Sequence, residues 1–235
     1  MPLTTNRQRL LTNLIGKDKG QDHGGDLPVL DQFLYAVCRE GVTREEADQA
    51  FAALQERFYD WNEVRVSSHR EIEEVLDDLP GAGERAQRLI SFLQEVFETT
   101  FSFDLESLKK KPMKQAAKQL SRYQAANDFI VAWVTQKSFA GHAVPLDAPT
   151  LRVVQRVGLI DAGMDSLETA RATMEHFIPK SRDAAFCDNV SNIASQICFE
   201  EDPDCPHCPL LADCPTGHEN ARTVHSGRAS RPKSR

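Results

Sequence analysis

The sequence predicts an all-α protein, and three observations carry that prediction. Apolar residues recur at helical spacing from residue 28 almost to residue 197. No segment sustains the period-two alternation of a half-buried strand. The periodic segments also open and close with helix signals, such as Thr43 three residues before Glu46 and a glycine at Gly41 or Gly158 just past the last apolar position. At 235 residues with 40% apolar side chains, the chain has material for two lobes sharing a core.

Taken in order, residues 1–27 read as irregular, with a Gly/Asp-rich patch "GKDKGQDHGGD". "VLDQFLYAVCRE" is a helix stopped by Gly41. "TREEADQAFAALQERFYDW" starts with a capping box at Thr43, and "SSHREIEEVLDDL" repeats the pattern from Ser68. "GERAQRLISFLQEVFETT" places Ala86, Leu89, Ile90, Leu93, Val96 and Phe97 on one face. "DLESLKKKPMKQAAKQLSR" divides near Pro112 into two helices, because proline cannot donate within a helix. "YQAANDFIVAWVTQKS" is apolar enough to be a core element, with Trp133 inside it. "DAPTLRVVQRVGL" opens on Asp147 as N-cap and ends before Gly158. "DSLETARATMEHFI" and "RDAAFCDNVSNIASQICFE" complete the set, with no internal repeat of fixed period. Cys38 and Cys187 fall in apolar helices and read as small core residues.

No window reaches the ~18 continuous apolar residues of a membrane span, and the first twenty residues lack the apolar run of a signal peptide. A cytoplasmic, nucleoid-associated monomer with no membrane partner is expected. The net charge of −7 is unevenly spread: the tail from Arg222 carries five cations and no acid, leaving −12 for residues 1–221. A body that acidic attracts phosphates only where its cations are gathered. Residues 218–235 therefore read as a disordered basic tail that offers a non-specific phosphate grip.

Four of the six cysteines lie within "CFEEDPDCPHCPLLADC": Cys198, Cys205, Cys208 and Cys214, spaced C-x6-C-x2-C-x5-C. In a reducing compartment such a cluster is a metal site sooner than a disulfide pair. Zinc and an iron–sulfur cluster are the two candidates, and zinc usually takes two C-x2-4-C pairs. One C-x2-C pair flanked by lone cysteines suits a larger, cubane-sized object. Pro203, Pro206, Pro209 and Pro215 stiffen the loop, so its ligands converge at less entropic cost. His207 reads as a solvated loop residue.

The cysteine spacing resembles the 4Fe–4S loop of the endonuclease III (helix-hairpin-helix-GPD) superfamily of DNA glycosylases. "LDAPTLRVVQR" is similar to the segment that carries that superfamily's essential aspartate, most closely in its mismatch adenine glycosylase branch. "LPGAGERAQRLISFLQEV" and "VLDQFLYAVCREGVTREEADQAFAAL" are similar to its other helices, so the likeness spans about residues 28–216. It implies a two-lobed helical fold. A six-helix lobe covers about residues 45–140, the flanking helices of residues 28–197 form the second lobe with a cluster loop at 198–214, and DNA binds between the lobes. It further implies that Cys198, Cys205, Cys208 and Cys214 hold the cluster. Asp147 then becomes the carboxylate that stabilises the sugar cation as a base leaves. An N-cap position suits an anion of this kind, although N-capping alone also accounts for an aspartate there.

Two departures modify the expectation. Family members that also cut the backbone carry a glycine-rich hairpin with a nucleophilic lysine. Here the matching stretch is "LSRYQAAN", Leu120 to Asn127, with no glycine and with Gln124 near the lysine position. Gln cannot form an imine, so a base-excising enzyme without the lyase step is expected, and Lys118 reads as a surface residue. Arg122, Tyr123 and Gln124 are the DNA-binding candidates, Arg122 by a side-chain grip and Tyr123 by stacking. Second, the cluster loop carries Glu200, Glu201, Asp202 and Asp204 where the family commonly has basic residues. These repel a duplex and suit a basic protein partner. The expected function is thus a monofunctional DNA N-glycosylase with weak or tail-assisted duplex binding; the alternative is an inactive cluster-binding module that binds DNA or a protein. Arg39 and Glu40 receive no role from the sequence.

Overall fold

A computed structural model describes residues 5–16, 27–164 and 166–220. The chain is helical throughout these residues, and no strand occurs among them. It divides into two compact units, Gln21–Asp147 and Met1–Gly20 with Ala148–Arg235.

The first unit holds α2 (Val29–Arg39), α3 (Arg44–Arg57), α4 (Trp61–Val66), α5 (His69–Val75), α6 (Ala82–Thr100), α7 (Met113–Leu120) and α8 (Asp128–Ser138), with a 3-10 turn at Glu106–Lys110. Helix α2 is its axis. Every residue of α2 except Asp31 is buried, the pattern of a helix covered on all sides, and it packs on α8, α3 and α6. Phe33 stacks on Phe92 of α6 with ring centroids 3.6 Å apart, while Tyr35 lies between Phe51 and Trp133. The buried Trp133 donates its indole N–H to the buried Gln32 side chain at 3.0 Å, so these two polar groups are paired within the core.

Local signals set the element ends as the sequence indicated. Thr43 and Ser68 each close a capping box, with Glu46 and with Glu71. One expected helix is two. "TREEADQAFAALQERFYDW" breaks after Arg57 because Asp60 caps a new helix by accepting the Glu63 N–H. The apolar helix of residues 123–138 starts only at Asp128, where the Asn127 side chain accepts from the Ile130 N–H.

The second unit holds α9 (Ala148–Arg156), α10 (Leu167–Phe177) and α11 (Asp183–Gln196), joined by α1 (Thr5–Ile15) from the other end of the chain. Here two expectations are corrected. The N-terminal segment is not irregular as a whole, since Thr5–Ile15 is a helix. Its few apolar residues fall at i, i+1 and i+4, so Leu10, Leu11 and Leu14 form one short stripe that is buried in this unit, where α1 packs on α11. Asn189 also donates to the Leu14 carbonyl at 2.9 Å. An 11-residue helix is marginal by itself, so packing decides the state. At the other end, residues 215–220 are helical rather than part of a tail. The His218 ring meets the Ala212 carbonyl, and Asn220 reaches the Cys205 sulfur. The expected tail from residue 221, and most of the Gly/Asp-rich patch, lie outside the described residues. The six-helix lobe was expected from about residue 45, yet α2 belongs with α3 to α8.

Candidate functional site: an anchored aspartate and a cysteine-lined cavity

Asp147 is 4% exposed and stands directly before α9. Its Oδ2 accepts the backbone N–H of Gly41 at 2.8 Å. Gly41 adopts φ of +79°, a left-handed conformation that glycine takes at little cost. The turn that presents this amide is stapled by three arginines. Arg39, 1% exposed with its guanidinium over the Trp133 ring, donates to the Val42 carbonyl. Arg85 donates to the carbonyls of Val37, Cys38 (3.2 Å) and Glu40 (2.5 Å), which the end of α2 would otherwise leave unpaired. Arg88 pairs with the Glu40 carboxylate at 2.7 Å. Positive charge at a helix C-terminus also opposes the helix dipole. Burial pushes the Arg85 guanidinium down from its ordinary range, and Cys38, Glu40 and Asp147 pull it back up.

The segment between α7 and α8, where the hairpin was expected, is a series of turns closed by its own backbone, with Tyr123 N–H to Leu120 O and Ala126 N–H to Tyr123 O. Arg122 and Gln124 are exposed. The Gln124 N–H donates to the Glu95 carboxylate of α6 at 2.9 Å. Tyr123 is half-buried, its ring edge-on to Phe33 and Phe92 at 6.2 and 5.0 Å. That placement makes it a packing residue of the hairpin. Burial pushes its phenol up, partly offset by a hydrogen bond with Thr99. Lys118 lies on α7, and residues 121–127 contain no lysine.

In the other unit, Cys198, Cys205, Cys208 and Cys214 line one cavity, together with Val153, Val157, Ile197 and Leu210. The loop is tied to α9: Arg152 donates to the Cys198 carbonyl at 3.0 Å, and Arg156 to the Phe199 and Glu200 carbonyls and to the Cys198 sulfur at 3.5 Å. The Gly217 N–H points at the Cys214 sulfur (3.3 Å), and Asn220 Nδ2 at the Cys205 sulfur (3.4 Å). N–H donors of this kind stabilise thiolate ligands. A Cβ on Gly217 would come 3.1 Å from Leu211 and 3.5 Å from the Cys214 sulfur, so a larger residue there would have to shift the Leu211 side chain. Burial pushes the Cys208 and Cys214 thiols up, and the neighbouring cysteines push them further. Four thiolates there therefore need positive charge among them, and the donor set fits a thiolate-bound iron–sulfur group. Among the described residues, no group of three or more His, Cys, Asp and Glu side chains is arranged to hold a single metal ion. His207 is exposed and pairs with Asp204; Glu200, Glu201 and Asp202 face outward. Cys38 and Cys187 are buried as expected.

Compared with solved structures, the chain is similar to endonuclease III trapped in a covalent intermediate with DNA, with a TM-score of 0.69 and 18% identity over 94% of this chain and 100% of that one. The fold is that of the endonuclease III-type DNA glycosylases. A thermostable thymine-DNA glycosylase shares it at a TM-score of 0.64 and 14% identity, over 91% and 97% of the two chains. So does the 3-methyladenine DNA glycosylase of H. pylori bound to 1,N6-ethenoadenine, at 0.57 and 13%, over 81% and 97%. No protein-family profile and no curated protein matches the sequence. No helix among the described residues is long and apolar enough to cross a membrane. Sequence reasoning singled out Asp147 and the four cysteines as candidates and gave no role to Glu40, Arg85, Arg88 and Glu95, because the partner of each is remote in sequence.

Proposed function

We propose that this chain is a monofunctional DNA N-glycosylase of the endonuclease III type that takes a damaged or mismatched base out of a duplex and hydrolyses its glycosidic bond. The observation that carries this reading is Asp147, a buried carboxylate with one oxygen fixed by a backbone amide, in a chain with a glycosylase fold. A carboxylate held this way stabilises positive charge on the sugar as the base leaves and orients the attacking water. Arg122 and Gln124, exposed between α7 and α8, would contact the DNA backbone, and Tyr123 packs beneath them on Phe92. Gln124 supplies no imine, so the backbone stays uncut.

Cys198, Cys205, Cys208 and Cys214 would hold a 4Fe–4S cluster, which when bound cross-links the C-terminal loop and supplies a one-electron redox centre. Arg152 and Arg156 position that loop from α9.

The test is single-turnover excision on duplexes carrying a panel of damaged and mismatched bases, with borohydride present in parallel. Excision without a trapped adduct is expected, and Asp147→Asn should lose about 100-fold or more in rate. A borohydride adduct would overturn the monofunctional assignment, and full activity in Asp147→Asn would overturn the role of Asp147. A second reading, a helical module without catalysis that binds DNA through its basic tail or a basic protein at the acidic loop, is favoured by one observation: the Gln124 amide is already occupied by Glu95. It predicts no excision on any duplex.

A further inference from the structure

We infer that Glu40 is a positioning residue for Asp147, linking the α7–α8 hairpin to the turn whose amide holds the Asp147 carboxylate; the inference rests on the glycosylase reading above. Glu40 is the C-cap of α2, and its two carboxylate oxygens are divided between partners from other helices. Oε2 accepts from Arg88 Nη1 of α6 at 2.7 Å, and Oε1 accepts from Asn127 Nδ2, the N-cap of α8, also at 2.7 Å. Each partner is itself fixed. Asn127 Oδ1 accepts the Ile130 N–H at 2.9 Å, which leaves its amide nitrogen for Glu40. Arg88 also donates through Nε and Nη2 to the Ala125 carbonyl in the hairpin, at 3.3 and 3.2 Å. The pair is about three-quarters buried, with side-chain exposures of 27% and 24%, so it is less open to salt screening than a surface ion pair.

The backbone of Glu40 completes the link. Its carbonyl accepts from Arg85, and the N–H on the other side of the same peptide group, that of Gly41, donates to Asp147. A trans peptide group is planar, so these two bonds lie on opposite edges of one rigid plate. Arg85 at the oxygen polarises the group and strengthens the N–H as a donor to the carboxylate. The tilt of the plate is set by the Glu40 side chain, anchored to the hairpin through Arg88 and Asn127. A hairpin displaced by DNA would therefore re-aim the Gly41 amide, and with it Asp147.

The test uses Glu40→Gln in the full chain. Gln keeps the size but cannot accept from both partners with the strength of a carboxylate. The Gly41 amide should exchange its hydrogen about tenfold or more faster by NMR. On a duplex that the wild type processes, single-turnover excision should fall about tenfold, with duplex affinity within about twofold. Arg88→Lys, which keeps the charge pair but loses the fork to Ala125, should give an intermediate loss, and it serves in place of Glu40→Gln if that variant does not fold. Unchanged Gly41 exchange overturns the inference, as does a rate loss matched by an equal loss of affinity. If the wild type excises nothing, the glycosylase reading fails, and Gly41 exchange alone decides whether Glu40 sets that amide.

Discussion

Cys38 illustrates how far a side chain can be taken out of ordinary chemistry by its place in the chain. It is 0% exposed in α2, and burial pushes its thiol up to about 12 even with Arg85 close by. The neutral thiol is thus favoured in the folded state relative to the unfolded one. The stability it contributes is complete below the ordinary thiol range of about 8.5 and is lost as pH rises from there toward 12. Wild-type protein should therefore lose stability more steeply than Cys38→Ala between about pH 9 and 11, as read by urea unfolding; parallel curves would reject this. The sequence marked Cys38 as a core residue from its apolar surroundings alone. It could not show Arg85, 47 positions away, meeting the same turn. Asp147 was legible because its position before a helix is a local signal. Its anchor, the Gly41 amide 106 residues earlier, was not.

Among the elements, α1 is one whose stability depends on what it touches. Its sequence "TNRQRLLTNLI" has four apolar residues in eleven, too few for a periodic signal to stand out. It is held by Leu10, Leu11 and Leu14, by Asn189 at its last turn, and by an ion pair from Arg9 to Asp213. Leu14→Ala should cost about 2–5 kcal/mol, since Leu14 is fully buried and the cavity left behind cannot close completely. The loss should appear in the unfolding of the α1/α9/α10/α11 unit; a change below ~1 kcal/mol would mean that α1 is not part of that unit in solution. Helices with a capping box, such as α3, or a long apolar face, such as α6, were readable without this help. The split between α3 and α4 was not, because it turns on Asp60 choosing to cap rather than continue a helix.

At the scale of the molecule, the two units rest on different foundations. The Gln21–Asp147 unit is one continuous stretch built around α2, whereas the other unit joins both ends of the chain and carries the cysteine-lined cavity. Protein prepared without oxygen should hold roughly four irons and four sulfides per chain. Cys205→Ser should remove them and lower the unfolding transition of the cysteine-bearing unit, while the transition of the α2 unit stays in place. One zinc and no iron, or a uniform loss across both transitions, would contradict this. The discontinuous unit also has a history during synthesis. Asn189, which seals the end of α1, is made 175 residues after Leu14. At the ~5–20 residues per second of translation, roughly 10–35 s pass with the Leu10/Leu11/Leu14 stripe uncovered on a nascent chain. The second unit can therefore close only after the first has had time to fold.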